Sequence, residues 1–387
     1  CSQVVVNMKF IHTSDWHIGR EFHNVSLLAD QRHVLDQLVA YIEKEAVDAL
    51  VIAGDIYDRS VPPSKAVALL DEFISKICSD MRVPVIMIPG NHDGAERLRF
   101  GSRQLSLAGL HILGDLSKVT EPVILPCESG EVAFYGIPYN DPETVRNLFS
   151  ADVSSYDEAH TYLVDLIKGV ERDDIPSVLI SHCFLDGAEE SESERPLSIG
   201  GADRVSYGPC TNFDYVALGH LHSPQYKGEE HIRYSGSILK YSFSEQNQKK
   251  GITLVEMDAN GLVGSKHLPL VPLRDMRIVE DEMQLILEQG KVDPNADDYL
   301  LVRLTDRHAI LDPMNKLRSV YPNVLHLEKP GMLETGEQQM RRETLKRGEL
   351  EMFRDFFLQI TGQTLNDEQD KAVQKAISEL NKQGAEA

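Results

Sequence analysis

Three stretches near the N-terminus decide how this chain is read: MKFIHTSDWHIGR (residues 8–20), LVIAGDIYD (50–58) and VPVIMIPGNHD (83–93). Each opens on a short apolar, β-rich run and closes on a polar cluster. Segments of helical spacing lie between them. Residues 26–45 carry Val34, Leu35, Leu38 and Ile42, and the segment after Pro63 carries Val67, Leu70, Phe73, Ile74 and Ile77. Short strands alternating with amphipathic helices predict a βαβαβ order and a largely parallel sheet. Ligands of such folds bind beyond the carboxyl ends of the strands. The clusters SDWH, GDIYD and GNHD are therefore expected to share one site.

Beyond residue 111 the pattern changes. Strands are expected at 132–137, 177–181, 215–219, 232–235 and 251–256, shorter and more hairpin-like, forming a second mixed sheet packed on the first. The acidic run 189–194 reads as a solvated loop. After residue 272 a helix (283–289), a strand (299–304), a helix (314–320) and a strand (324–327) predict a small α+β unit, followed by a polar linker at 335–344. Two amphipathic stripes close the chain: Phe353, Phe356, Phe357 and Ile360, then Val373, Ala376, Ile377 and Leu380. They either pack on their own domain or dock a partner helix. The expected divisions are 8–271, 272–334 and 345–383, with residues 1–7 as an extension before the fold.

The 387 residues suffice for two or three domains with sizeable cores. A hydrophobic fraction of 42% and a charged fraction of 26% exclude general disorder. No apolar run approaches the ~20 residues that span a bilayer, and no basic-then-apolar leader is visible. The five cysteines are odd in number and form no CxxC pair, so the reducing cytosol is the expected compartment. The net charge of −22 falls as −16 up to residue 270 and −6 beyond it. A basic face for autonomous nucleic-acid binding is thus absent, and any polyanionic substrate needs metal ions or a partner to supply positive field.

The chemistry lies in a set of strand ends. Asp15 and His17 are two apart, so both side chains can face one side. Asp55 follows a strand, with Gly54 allowing close approach; Asn91 and His92 follow another. His182 closes SVLIS, and His220 and His222, again two apart, follow YVAL. One such histidine alone is usually a satisfied polar group. Five strand ends each carrying Asp, Asn or His are not expected from packing. Mixed carboxylate, amide and imidazole donors suit Mn, Fe or Zn better than Ca or an all-oxygen Mg site. Two such ions ~3.5–4 Å apart clamp a phosphoryl group and activate water, and Asp55, between the other clusters, is the natural bridge. Cys183, beside His182, is incidental.

The series D-x-H (Asp15, His17), GD-x-x-D (Gly54, Asp55, Asp58), GNHD (Gly90 to Asp93), His182 and GHxH (Gly219 to His222) resembles the calcineurin-like metallophosphoesterase superfamily. HTSDWHIG, AGDIYDRSVPP and IRYSGSILKYSFSE resemble its branch of bacterial SbcD-type exonuclease subunits, related to the Mre-type repair nucleases. The resemblance covers about residues 8–271. It implies an α/β/β/α sandwich of two mixed sheets flanked by helices, with a small α+β cap facing DNA and C-terminal helices gripping a coiled-coil partner. It further implies two divalent ions, Mn2+ first and Fe2+ or Mg2+ as alternatives. One would be held by Asp15, His17, Asp55 and His222, the other by Asp55, Asn91, His182 and His220. His92 would be the general acid, Asp93 would orient its ring, and Asp58 would support the site. Asp58 stands where some Mre-type relatives carry histidine.

The implied activity is metal-assisted attack of water on DNA phosphodiesters: exonuclease on duplexes and endonuclease on single strands and hairpins, in break repair, recombination and replication. The implied partners are DNA, an SbcC-type coiled-coil ATPase and a second copy of the chain, with no membrane. The absence of a GxxxxGK[ST] loop agrees with an ATPase on another chain. Two rivals remain: another phosphatase or small phosphodiesterase of the superfamily, and a non-catalytic scaffold that tethers DNA ends. A scaffold has no use for His92.

Overall fold

The computed structural model describes residues 7–127, 130–172, 174–194, 203–308 and 310–329, with residues 354, 365, 369, 370, 372 and 373 beyond them. The linker expected at 335–344 and nearly all of the two C-terminal stripes lie outside the described residues. The chain divides into two compact units. One takes the chain to Arg277 together with Asp297–Tyr299; the other takes Ile278–Ala296 and the chain from Leu300.

In the larger unit the β-branched and aromatic runs form two six-stranded sheets. The first runs in the order Gly261–Pro269, Gly251–Asp258, Met8–Thr13, Ala49–Ile52, Val85–Met87, Leu110–Ile112. Its last four strands are parallel. The second runs Gln225–Lys227, Glu229–Tyr234, Tyr215–Gly219, Ser177–His182, Gly130–Ile137, Val123–Cys127. Alternation sends Phe10, Ala49, Val51, Ile86 and Ile88 of the first sheet against Val132, Phe134, Val178, Ile180, Tyr215 and Ala217 of the second, in one buried core. Phe10 meets Phe134 and Tyr215 edge-on, at 5.4 and 5.7 Å between ring centres. His12, on the same face, is buried with its ring nitrogens 3.0 Å from Tyr215 Oη and 3.1 Å from the Leu218 carbonyl, so it joins the sheets.

Helices flank the sandwich. Leu28–Glu45 and Ser64–Ser75 bury the stripes read from the sequence, including Val34, Leu38, Leu70 and Phe73. The outer face of the second sheet is covered by Tyr156–Lys168, which buries Ala159, Leu163, Val164 and Ile167. The hairpin-like reading of this second half is corrected here. Its four central strands pair in parallel, because the helices Pro142–Phe149 and Tyr156–Lys168 supply the crossover that parallel strands require. Cys183 and Cys210 belong to that outer core.

The smaller unit has a three-stranded sheet ordered Met276–Asp281, Tyr299–Leu304, Val324–Glu328, with helices Met283–Gly290 and Pro313–Arg318. Its core is Met283, Ile286, Leu300, Val302, Leu304, Leu317, Tyr321 and Val324. No helix among the described residues is long and apolar enough to cross a membrane.

Candidate metal centre

The strand ends meet because parallel pairing brings their carboxyl termini level. Thr13 is opposite Ile52 and Ile52 opposite Met87 in the first sheet, and His182 opposite Gly219 in the second. Beyond the strands the first two loops are zipped by their backbones: the N–H groups of Asp15, His17 and Ile18 donate to the carbonyls of Gly54, Asp55 and Ile56 at 3.1, 2.9 and 2.9 Å. The sheets close on each other at Gly54 and Gly219. A Cβ on Gly54 would strike the His182 ring, and one on Gly219 would strike the Ala53 carbonyl. Asp15, His17, Asp55 and His220 all hold positive φ, at 53°, 45°, 50° and 105°. Such backbone costs ~1–3 kcal/mol per residue and persists only where the surroundings enforce it, commonly at functional sites.

The side chains converge without solvent. Asp15, His17, Asp55, His182, His220 and His222 are each at most 3% exposed. Their ligand atoms fall into groups lying within 4.8 Å of one another: Asp15, His17 and His222 form one, and Asp55, His182 and His220 another. His17 Nε2 faces His222 Nε2 at 3.1 Å. Asp55 Oδ2 lies 3.7 Å from His17 Nε2 and 3.6 Å from His182 Nε2, between the two groups. Asn91 Oδ1 sits 3.0 Å from His182 Nε2 and 3.2 Å from His220 Nδ1. His182 Nδ1 is tied to the Ala53 carbonyl at 2.9 Å, and the His220 backbone N–H donates to Asp15 at 3.0 Å.

The electrostatics are those of lone pairs forced together. Burial raises Asp15 to about 6 against the pull of His182 and His222. Burial also works to raise Asp55, but His182, His17 and His92 hold it well below the usual carboxylate range. Burial would lower His182, and Asp55 and Asp15 instead lift it to about 9. Buried imidazoles and carboxylates facing one another at 3–4 Å are costly unless positive charge lies among them, so this donor set fits divalent cations.

His92 lies on the rim, 7% exposed, with Nε2 4.0 Å from Asp55 Oδ2. Its Nδ1 is 2.8 Å from the carbonyl oxygen of Asp58, and its backbone N–H donates to Asp55 Oδ1 at 2.8 Å. Asp93 does not orient this ring, which corrects the expectation. Its carboxylate accepts the backbone N–H groups of Ile56, Tyr57 and Gly90 at 3.1, 2.9 and 2.9 Å, and so clamps the GNHD loop to the GDIYD loop. The Asp58 carboxylate lies 3.9 Å from His17 Nδ1 and 3.4 Å from Arg20.

Several residues at the site escaped the sequence reading. Gln31, on the helix Leu28–Glu45, donates to the carbonyls of Trp16 and His17 at 3.1 and 2.8 Å and accepts from Gly19 N–H at 3.0 Å. Tyr241 stacks edge-on to His17 and His222 at 5.4 and 5.6 Å. Glu245 and Lys250 form a buried ion pair of 2.6 Å behind His222. The acidic run is not merely solvated: Glu194 Oε1 accepts the His222 backbone N–H at 2.7 Å, because those loop carboxylates find donors at the site. Tyr241 and Glu245 sit within the motif IRYSGSILKYSFSE, but a role for them depends on contacts across 20 to 230 residues.

The calcineurin-like phosphoesterase model matches residues 8–224, which include every donor above, and a Type 5 capsule protein repressor C-terminal domain model matches residues 272–361. The chain is 35% identical over 372 residues to the D subunit of the SbcCD nuclease of Staphylococcus epidermidis, covering 96% of this chain and 98% of the relative. The crystal structure of TT1561 of Thermus thermophilus aligns over 68% of this chain and 99% of its own, at 13% identity and a TM-score of 0.40, too slight a likeness to bear on the fold. Near-complete coverage by one relative, together with a family match over the whole donor set, carries the conclusion that the chain belongs to the calcineurin-like phosphoesterase family, in its SbcD-type branch.

Proposed function

We propose that the chain is a metal-dependent nuclease that hydrolyses DNA phosphodiester bonds. The observation carrying this reading is the solvent-free convergence of Asp15, His17, Asp55, His182, His220 and His222 at strand ends of a phosphoesterase fold. Asp15, His17, Asp55 and His222 would hold one divalent ion, and Asp55, Asn91, His182 and His220 a second; Mn2+ is the first expectation, with Fe2+ or Mg2+ as alternatives. When bound, such a pair neutralises the phosphate and lowers the pKa of an attacking water. Because His92 Nδ1–H donates to the Asp58 carbonyl, Nε2 is the ring atom turned toward the cluster and toward a leaving oxygen. His92 would protonate that oxygen.

The expected reactions are exonuclease cleavage of duplex ends and endonuclease cleavage of hairpins and single strands, in cytoplasmic break repair, recombination and replication. The relative's name, which makes it one component of an SbcCD nuclease, supports a coiled-coil ATPase partner of SbcC type and DNA as substrate. The unit at 272–334 would cap the DNA, and residues 345–383 would dock the ATPase. Exposed Val61, Phe100 and Leu107 support self-association into a homodimer. With a net charge of −22, DNA binding by the isolated chain should be weak and salt-sensitive.

The test is cleavage of linear duplex, hairpin and single-stranded DNA with added Mn2+, beside a generic phosphomonoester. Wild-type protein should cut DNA, and His92→Ala should lose roughly 10²–10⁴-fold with its metal content intact. Turnover of the monoester alone would sink the DNA reading. Metal loss in His92→Ala would make His92 a ligand, since its ring also lies in a donor group with His17 and Asp55.

A further inference from the structure

We infer that the buried Glu245–Lys250 pair is a positioning device for His222, fixing the proton on Nδ1 and leaving the Nε2 lone pair aimed at the metal centre. The inference rests on the metal-centre reading above. His222 is 1% exposed, and every polar atom but Nε2 is engaged. Its backbone N–H donates to Glu194 Oε1 at 2.7 Å, and its carbonyl accepts from Lys250 Nζ at 2.8 Å. Its Nδ1 lies 2.6 Å from Ser193 Oγ and 3.4 Å from Glu245 Oε1.

Proton bookkeeping then selects the tautomer. The Ser193 hydroxyl donates to Glu245 Oε1, so its oxygen presents a lone pair to Nδ1. An ionised Glu245 accepts only. Both neighbours of Nδ1 are acceptors, and Nδ1 must carry the hydrogen. Nε2 is left bare, 3.1 Å from His17 Nε2. Lys250 keeps Glu245 in its ionised, accepting form: Nζ lies 2.6 Å from Glu245 Oε2 and also donates to Ser237 Oγ at 2.8 Å. The carboxylate is further held by the Tyr241 backbone N–H at 3.2 Å. Carboxylates behind ligating imidazoles commonly fix tautomer and ring orientation, and their loss typically costs 10–100-fold in metal affinity.

A pair that merely glued the loop at 191–194 to the turn Phe243–Glu245 would move stability and leave metal affinity alone. The experiment therefore titrates the full chain with Mn2+, following free Mn2+ by its electron paramagnetic resonance, and records thermal unfolding on the same samples. Glu245→Gln, whose amide can offer a proton toward Nδ1, should weaken one of two Mn2+ sites by about 10–100-fold and leave the other unchanged. The double variant E245Q/K250M, which leaves no unpaired buried charge, should regain melting temperature and keep the weak site. Should Glu245→Gln fail to fold, the double variant decides. Wild-type affinity in a folded variant, or recovery of affinity together with stability in the double variant, would overturn the inference. A wild-type chain that takes up no Mn2+ would instead overturn the metal-centre reading itself.

Discussion

In the larger unit, six aspartate and histidine side chains no more than 3% exposed face one another at the strand ends. In the smaller unit, His308 and His326 are 77% and 46% exposed and lie 3.9 and 3.8 Å from Asp306 and Glu328. A solvated imidazole beside a carboxylate keeps most of its hydration and contributes ~0–1 kcal/mol. Desolvated donors on positive-φ backbone each cost several kcal/mol unless a partner offsets them. The difference teaches that neither histidine content nor acidity marks a site. Burial, convergence and strain together do, and among the described residues all three coincide at one place.

The contrast can be broken most directly at its centre. Asp55→Asn, between the two donor groups, should lower Mn2+-dependent DNA cleavage by roughly 10³-fold or more and reduce bound metal, measured by elemental analysis. Retained metal and activity would end the role of Asp55 as the bridge.

In the smaller unit the same size of insult should touch folding alone. Ile286 is fully buried in that core, and Ile286→Ala should cost about 2–5 kcal/mol in urea unfolding with metal content unchanged. Metal loss in that variant would show that the site depends on the smaller core.

Acid sharpens the comparison further. Burial lowers His12 to about 3 and His160 to about 4. Both stay neutral in the folded chain while the unfolded chain gains protons below its ordinary value near 6.5. Stability from this source is present in full above pH 6.5 and declines as pH falls toward 4, by about 1.4 kcal/mol per pH unit per group. His160→Gln should flatten the pH dependence of the urea midpoint by about that slope; an unchanged slope would mean that His160 is protonated in the fold.

The smallest effect belongs to the surface. Arg303 and Glu328 pair at 2.7 Å, each 37% exposed, and Arg303→Gln should shift stability by less than about 1 kcal/mol. A larger loss would show that this face is not simply solvated.

Much of this was legible beforehand. The two sheets, the flanking helices and the small α+β unit follow from periodicity, and the donors from D-x-H, GD-x-x-D, GNHD and GHxH. The parallel pairing of the second sheet was missed although its helices were announced: Ser155 and Glu158 form a capping box, and Asp141 caps a helix opened by Pro142. The errors at Asp93 and in the acidic run have a different origin. A carboxylate one residue from a functional histidine is close to it in sequence, but its direction is set by the loop opposite, which offers three N–H groups to Asp93.

The amino-acid sequence by itself determined the alternation of elements, the family and the donor set, because periodicity and short motifs are local and survive without coordinates. Only the tertiary structure decided which groups surround each donor. Gln31 beneath the first loop, the Asp58 carbonyl on His92, and the Ser193, Glu194, Glu245 and Lys250 contacts of His222 are such decisions. They join residues 14 to 34 positions apart in sequence through loops whose path depends on how two sheets close. Hydrogen bonds reach about 3 Å, and no pattern along the chain encodes which loops come within that distance.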